Sequence, residues 1–208
     1  QASSKQEAGR PPEAQKFAQD QSPEFPATSH LSIVDKEGNA VAMTTTIEDG
    51  LGSRIMVGGF LLNNELTDFS FVPEDQGRPV ANRVEGGKRP RSSMAPTMVY
   101  DPQGKLWLIT GSPGGSAIIN YVAKVLIAAI DLQLDPQTAI NLPNVGSRGA
   151  ATELELGSAA VELKGKLEAM NHKVNVLDFT SGVHSIQRQG PHWVGAADPR
   201  REGKVVAQ

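Results

Sequence analysis

Apolar positions interleave with small polar ones from Ser29 to Val34 and again from Ala40 to Thr46, with Asp35-Lys36-Glu37-Gly38-Asn39 between the two runs. A period of two broken by turn residues predicts a β-hairpin. If the turn centres near Glu37 and Gly38, paired positions sum to about 75, which brings Thr46 or its neighbour beside Thr28. A second hairpin is predicted for Thr97–Tyr100 and Lys105–Thr110, joined by Asp101-Pro102-Gln103-Gly104 with Pro at the favoured turn position. That hairpin runs straight into Gly111-Ser112-Pro113-Gly114-Gly115-Ser116. Beyond it the apolar residues at 118, 119, 122, 125, 126, 129 and 130 have helical spacing and predict a helix over 117–132.

Further along, Asp135-Pro136 reads as an N-cap and first-turn pair for a short helix, and 159–170 has helical periodicity. Segments 173–177, 183–187 and 193–196 read as strands. No internal repeat is present. Hairpins followed by separate helices predict an α+β domain with an antiparallel sheet rather than alternating βαβ units.

Ahead of the first hairpin the pattern is different. Residues 1–27 hold no Val, Ile, Leu or Met, and only Phe17 and Phe25 are large and apolar. Such a segment buries too little surface to offset its conformational entropy, so it is expected to be a mobile tail joined to one domain over 28–208. An expression tag or linker would have similar polarity, but the segment has neither His-tag nor Gly/Ser-repeat character.

Composition narrows the function classes. With 208 residues, 38% hydrophobic, 21% charged and a formal net charge of -3, the chain matches ordinary soluble globular proteins. Lys and Arg are scattered, so no nucleic-acid or membrane-surface partner is implied. The absence of Cys excludes disulfides, zinc thiolate sites and cysteine nucleophiles. The longest apolar stretch, 117–132, is interrupted by Asn120, Lys124 and Asp131, so no membrane span is expected. With no initiator Met, basic n-region or secretory h-region, residue 1 reads as a cut, and any localisation signal as lying upstream.

Four segments have the residue types for catalysis or substrate binding. A Pro-rich tail meets a strand at Ala27-Thr28, the arrangement that self-processing at that bond requires. A Thr with a free α-amine is a compact catalytic unit: the amine, with a pKa of about 7.7–8.0, can take the hydroxyl proton near neutrality. The run Gly111-Ser112-Pro113-Gly114-Gly115-Ser116, between a strand and a helix, has the backbone freedom to point successive N–H groups into a cavity and hold an oxyanion; a tight strand-to-helix turn is the other reading. A phosphate loop is disfavoured because no Lys follows the glycines. Lys88-Arg89-Pro90-Arg91-Ser92-Ser93 combines cations and hydroxyls that could bind a carboxylate. Glu65 and Asp68, three apart, could converge on one cation; without a His or third carboxylate nearby, an ammonium fits better than a metal. The four His show no metal spacing, and a Ser-His-Asp site at Ser92 or Ser112 lacks the nucleophile-elbow pattern. Trp107 and Trp193 are expected in the core.

Five blocks in order carry a resemblance: Thr28-Ser29-His30 with 35–41, Leu62-Asn63-Asn64-Glu65-Leu66-Thr67-Asp68-Phe69-Ser70, Lys88-Arg89-Pro90-Arg91-Ser92-Ser93-Met94, Thr110 through Ser116, and Gly195-Ala196-Ala197-Asp198-Pro199-Arg200. Together they resemble the small subunit of gamma-glutamyltranspeptidase, over residues 28–208. The resemblance implies an N-terminal nucleophile hydrolase of αββα sandwich type, in which a precursor cuts itself before Thr28 and residues 1–27 end the large subunit. It implies that Thr28 attacks the γ-carbonyl of a donor such as glutathione, forming a γ-glutamyl ester that water or an amino-acid or peptide acceptor resolves. By the same resemblance Thr46 lies near the nucleophile and Gly114 and Gly115 form the oxyanion hole. Ser92 and Ser93 hold the donor α-carboxylate, and Glu65 and Asp68 its α-ammonium.

The family uses no cofactor, takes its main carboxylate-binding Arg from the large subunit, and is placed in the periplasm or secreted. Glu48 stands where well-known members carry Asn as a further contact to the amino-acid head. The segment 71–87, matching the bacterial lid, is short and lacks Tyr. A cephalosporin-type or glutaryl acylase of the same family is the nearest alternative, and an uncleaved homologue acting as a binding module is another.

Overall fold

The computed structural model describes residues 17–18, 27–149 and 151–207. The tail reading for 1–27 therefore lies outside the described residues except at Phe17, Ala18 and Ala27. At Ala18 the chain is anchored: its N–H donates to Pro79 O at 2.9 Å, and its side chain is buried.

The first hairpin consists of β1, Thr28–Val34, and β2, Ala40–Thr46. Its register pairs Thr28 with Thr46, as the turn position predicted. The turn is held by Gly38 N–H donating to Asp35 O and by Asn39 donating from backbone and side chain to the Asp35 carboxylate. Gly38 has φ 87, the left-handed conformation for which a glycine is suited.

Two small hairpins follow: β3, Met56–Val57, with β4, Phe60–Leu61, and β5, Glu74–Asp75, with β6, Arg78–Pro79. Between them Glu65–Asp68 form a 3-10 turn. Next come β7, Thr97–Tyr100, and β8, Leu106–Gly111, joined at the predicted Asp101–Gly104 turn with a bulge at Val99/Tyr100. A 3-10 turn over Gly115–Ala117 leads into α1, Ile118–Ile130, and Asp135 caps α2, Pro136–Asn141, by accepting from Gln137 N and Thr138 N.

The chain then forms β9, Val145–Ser147, β10, Thr152–Glu155, a 3-10 turn over Ala159–Leu163, α3, Lys164–Ala169, and β11, Val174–Leu177. It ends with β12, His184–Gln189, and β13, His192–Ala197.

The main sheet has the order β13-β12-β8-β7 and is antiparallel throughout. Helices α1 and α2 cover one face, and the β1/β2 hairpin packs on the other against β8 and β12. The apolar core lies on the helix side, where Tyr121, Val125, Ala128, Ile140, Phe179 and Val183 cluster.

The hairpin has inverted polarity: His30, Ser32, Thr44 and Thr46 share the face turned to the sheet. Leu31, Ile33, Val41 and Met43 face outward and are 37–53% exposed. Sheets normally turn their apolar face inward, so the outward face is built for a further layer.

Four features differ from the sequence pattern. Strands β9 and β10, three and four residues long, are too short to register as a period of two, and β9 has Gly146 at its centre. β10 and β11 pair in parallel through the crossover that contains α3, the one βαβ unit among the described residues. The predicted helix over 159–170 begins as a 3-10 turn. Trp107 and Trp193 are half-buried rather than core, and the Arg188 guanidinium sits 6.0 Å from the Trp193 ring centroid.

The C-terminal stretch is tied down by ions. Arg200 donates to the Glu155 carboxylate, to Asp198 Oδ1 at 3.1 Å, and to the carbonyl groups of Ile140 and Leu142 at the end of α2. Lys124 Nζ reaches the same two carbonyls at 2.9 and 2.7 Å. Burial, then the charge of Arg200, pushes the Lys124 amine down to about 8. Asp198 also accepts from Ser181, and Gly182 N–H approaches Ser112 Oγ at 3.4 Å, connecting the network to the glycine loop.

Candidate active site

Thr28, Thr46, Glu48, Asp68, Ser92, Ser93 and Gly115 line one open cleft, together with Arg91, Met94, Ser116 and Ile118. Its interior volume is about 50 Å³. Seven of the nine residues singled out in the sequence thus meet at one place. Gly114 lies one residue behind the wall, and Glu65 behind Asp68.

At the mouth of the hairpin a directed hydrogen-bond chain ends on the backbone before Thr28. Glu48 N–H donates to Thr46 Oγ1 at 2.9 Å, and Thr46 Oγ1 donates to Ala27 O at 2.9 Å. The first bond occupies a lone pair of the Thr46 hydroxyl, so its proton is free to point at the carbonyl. Glu48 has φ 73, costly for a non-Gly residue, and 4% of its surface is exposed. On the other side of Thr28, Arg201 donates to its carbonyl oxygen at 3.3 Å.

The glycine loop uses the two conformations that glycine supplies. Gly114 has φ 134 and Gly115 φ 56. A Cβ at Gly114 would fall 2.6 Å from Tyr121 Cε2, so both backbone conformation and space exclude a side chain there. Gly115 and Ser116, which open the 3-10 turn, line the cleft, and backbone N–H groups at the start of such a turn suit an anion.

Opposite lies a group of carboxylates. Asn64 donates to Glu48 Oε2 and to Thr67 Oγ1, both at 3.1 Å, holding the Glu65–Asp68 turn against Glu48. Burial, then Asp68, raises the Glu48 carboxyl, and burial followed by Asp68 and Glu48 pushes Glu65 up to about 7. Glu65 Oε1 is buried without a hydrogen-bond partner. Carboxylates buried and crowded this way repel one another's charge, the condition that raises the pKa of Glu48 and Glu65. Among the described residues no three His, Asp or Glu side chains are arranged to hold a metal.

The sequence pattern marked Arg91 only as part of a basic loop; the structure singles it out. Lys88 and Arg83 both pair with Glu85, whereas Arg91 lines the cleft. Asn64 was likewise quoted in a motif without a role, and its side chain links Glu48 to the acidic turn.

A sequence profile described as gamma-glutamyltranspeptidase matches residues 1–208. The chain belongs to this family. It is 43% identical over 191 residues to the glutathione hydrolase proenzyme of Escherichia coli K12, covering 86% of this chain and 32% of that protein. With the Bacillus subtilis 168 proenzyme it shares 34% identity over 184 residues, 86% of this chain and 30% of the relative. The chain thus spans about a third of the length of these curated relatives.

Among solved structures, the Helicobacter pylori gamma-glutamyltranspeptidase T380A mutant aligns at TM-score 0.71 and 34% identity, over 82% of this chain and 98% of that one. The Pseudomonas nitroreducens gamma-glutamyltranspeptidase complexed with L-DON aligns at TM-score 0.72 and 31% identity, over 86% and 98%. The α+β architecture is that of the gamma-glutamyltranspeptidase family of N-terminal nucleophile hydrolases. To its αββα sandwich this chain supplies one helical layer, the main sheet and the hairpin of the facing sheet. Among the described residues no helix is long and apolar enough to cross a membrane.

Proposed function

We propose that this chain is the catalytic part of a gamma-glutamyl transferase or hydrolase that cuts itself between Ala27 and Thr28 and then uses Thr28 as nucleophile. The single observation that carries the proposal is the chain of hydrogen bonds ending on Ala27 O. That oxygen belongs to the peptide bond to be cut, and a donor aimed at it stabilises the negative charge that develops as its carbon is attacked.

In the first reaction Thr28 Oγ attacks the Ala27 carbonyl carbon. The C–N bond breaks, the Thr28 nitrogen takes a proton and becomes a free amine, and Ala27 is left as an ester on Oγ. Water hydrolyses that ester, giving the Ala27 carboxylate and Thr28 with both hydroxyl and amine free. In the second reaction the amine accepts the Oγ proton as Oγ attacks the γ-carbonyl of a donor such as glutathione. The oxyanion is received by backbone N–H groups at Gly114 and Gly115, the leaving amine takes the proton, and a γ-glutamyl ester remains. Water or the amine of an amino-acid or peptide acceptor then attacks the ester and releases Thr28. Neither reaction calls for a cofactor.

Recognition follows from charge. The donor α-ammonium meets Glu48, Glu65 and Asp68, whose mutual crowding is relieved by a cation. Its α-carboxylate meets Ser92 and Ser93, with Arg91 on the same wall and a large-subunit Arg completing the contact. The acidic cluster favours a donor with an ammonium head over the glutaryl group of a cephalosporin-type acylase, which has none.

The outward apolar face of the hairpin supports an obligatory partner, the large subunit of the same precursor, with residues 1–27 as its end. A periplasmic or secreted location accords with this reading. An uncleaved binding module would have no use for a donor aimed at the bond before Thr28.

The test compares a γ-glutamyl anilide with the matching glutaryl anilide on the processed two-chain enzyme. Turnover of the first at least about 100-fold above the second is expected, since a lost charge-assisted contact in a closed site costs about 2–3 kcal/mol. Equal turnover would favour the acylase.

A further inference from the structure

His30 follows Thr28 by two residues on β1, on the same face, and the proposed function leaves it without a role. It is 6% exposed, its Nδ1 lies 2.8 Å from Thr44 Oγ1 and its Nε2 3.1 Å from Ser32 Oγ. Both ring nitrogens are engaged on the hairpin, so the ring is unsuited to take a proton from Thr28 or to bind a metal. One flat side lies on the backbone of Gly111: a Cβ there would be 2.2 Å from His30 Cε1 and 2.5 Å from Nδ1. Gly111 has no left-handed φ, so the ring, not the backbone, is what excludes a side chain.

His184, paired with Gly111 across β12 and β8, completes the contact, its ring stacked on that of His30 at 6.5 Å and 24°. Burial and the neighbouring His184 hold the His30 imidazole down to about 4, and burial lowers His184 against the opposing pull of Asp198 and the Gly182 backbone. The ring of His30 is neutral at neutral pH. Asp198, bound to Arg200, acts on His184, and Arg201 reaches the Thr28 carbonyl two residues before His30.

Gly111 is the last residue of β8 and opens the loop that holds Gly114 and Gly115. Anything that lifts the His30 ring from Gly111 therefore changes the distance from Thr28 to that loop. We propose that His30 and His184 are a positioning pair that sets the spacing between the strand of the nucleophile and the oxyanion loop. This rests on the reading of Thr28 as nucleophile and of the loop as oxyanion site. A positioning error of about 1 Å lowers turnover up to about 100-fold without touching the groups that bind the donor head.

The experiment uses the full precursor, processed to the two-chain enzyme, with a γ-glutamyl anilide as substrate. Gly111→Ala is expected to lower kcat by about 10- to 100-fold with KM within about twofold, because its methyl group displaces the His30 ring. Adding His30→Ala gives that methyl room, so the double variant is expected to exceed Gly111→Ala in kcat. This is a coupling that independent structural damage does not produce. His184→Ala is expected to lower kcat several-fold, and His184→Gln, which keeps a flat polar group, to restore most of it; this arm serves if the Gly111 variants do not fold. Additive effects of Gly111→Ala and His30→Ala, or changes confined to KM, would overturn the pair. Likewise, a His184→Ala enzyme with unchanged kcat would overturn it. Thr28→Ala, run alongside, separates the two ideas. If it abolishes turnover while the Gly111 and His30 effects simply add, only the positioning pair falls; if it keeps turnover, the nucleophile reading falls first.

Discussion

Thr28 and Thr46 sit opposite one another in the register of one hairpin, and the Thr46 hydroxyl donates at 2.9 Å to the carbonyl that precedes Thr28. Removing this donor should slow the break at Ala27-Thr28. Thr46→Ala is expected to retard processing of the precursor by about 100-fold, and Thr46→Ser to keep most of the rate, the range seen for single oxyanion donors. A time course of fragment appearance on a denaturing gel measures both.

Gly114 should tolerate no side chain. Its φ of 134 and the 2.6 Å approach to Tyr121 mean that Gly114→Ala must shift the loop. The expected result is a kcat lowered by about 100-fold with KM little changed, because the head-group contacts lie on other segments. Steady-state kinetics on the processed enzyme would contradict this if KM rose and kcat held.

Donor affinity should depend on the ionisation of Glu65. Its carboxyl is pushed up to about 7 by burial, Asp68 and Glu48. An ammonium is held by the carboxylate form, so binding improves as pH rises through about 7 and is accompanied by proton release. KM for a γ-glutamyl anilide is expected to fall several-fold between about pH 6 and 8 in the native enzyme, and to vary less in Glu65→Gln.

Stability should fall in acid for a separate reason. The His30 pKa is depressed from 6.5 to about 4, so the unfolded chain binds a proton that the folded one refuses. Its contribution is fully present above about pH 6.5 and is lost as pH falls from there to about 4. Thermal unfolding midpoints across that window should decline less steeply in His30→Asn than in the native protein, after allowance for the lower starting stability of the variant.

Much of this was legible in the sequence because it depends on local chemistry. The turn Asp35–Asn39 fixes the register, and register alone brings Thr46 to Thr28. The glycine pair marks backbone conformations that other residues avoid. What the sequence left hidden depends on distant packing. The His30–His184 stack joins residues 154 positions apart (184 minus 30), and neither ring belongs to a spacing motif. The ends of β9 and β10 are held by the network of Arg200, Glu155 and Asn144, which no period of two records. The choice of Arg91 over its basic neighbours follows from where Glu85 draws Arg83 and Lys88.

The central claim is that the amine and hydroxyl of one residue do the chemistry once the bond ahead of it is cut. Expressing the full precursor and reading the mass and N-terminus of its smaller fragment tests this most directly. The account predicts a fragment that begins at Thr28, together with γ-glutamyl turnover, and neither of these in Thr28→Ala. A fully active enzyme whose Ala27-Thr28 bond remains intact would contradict it.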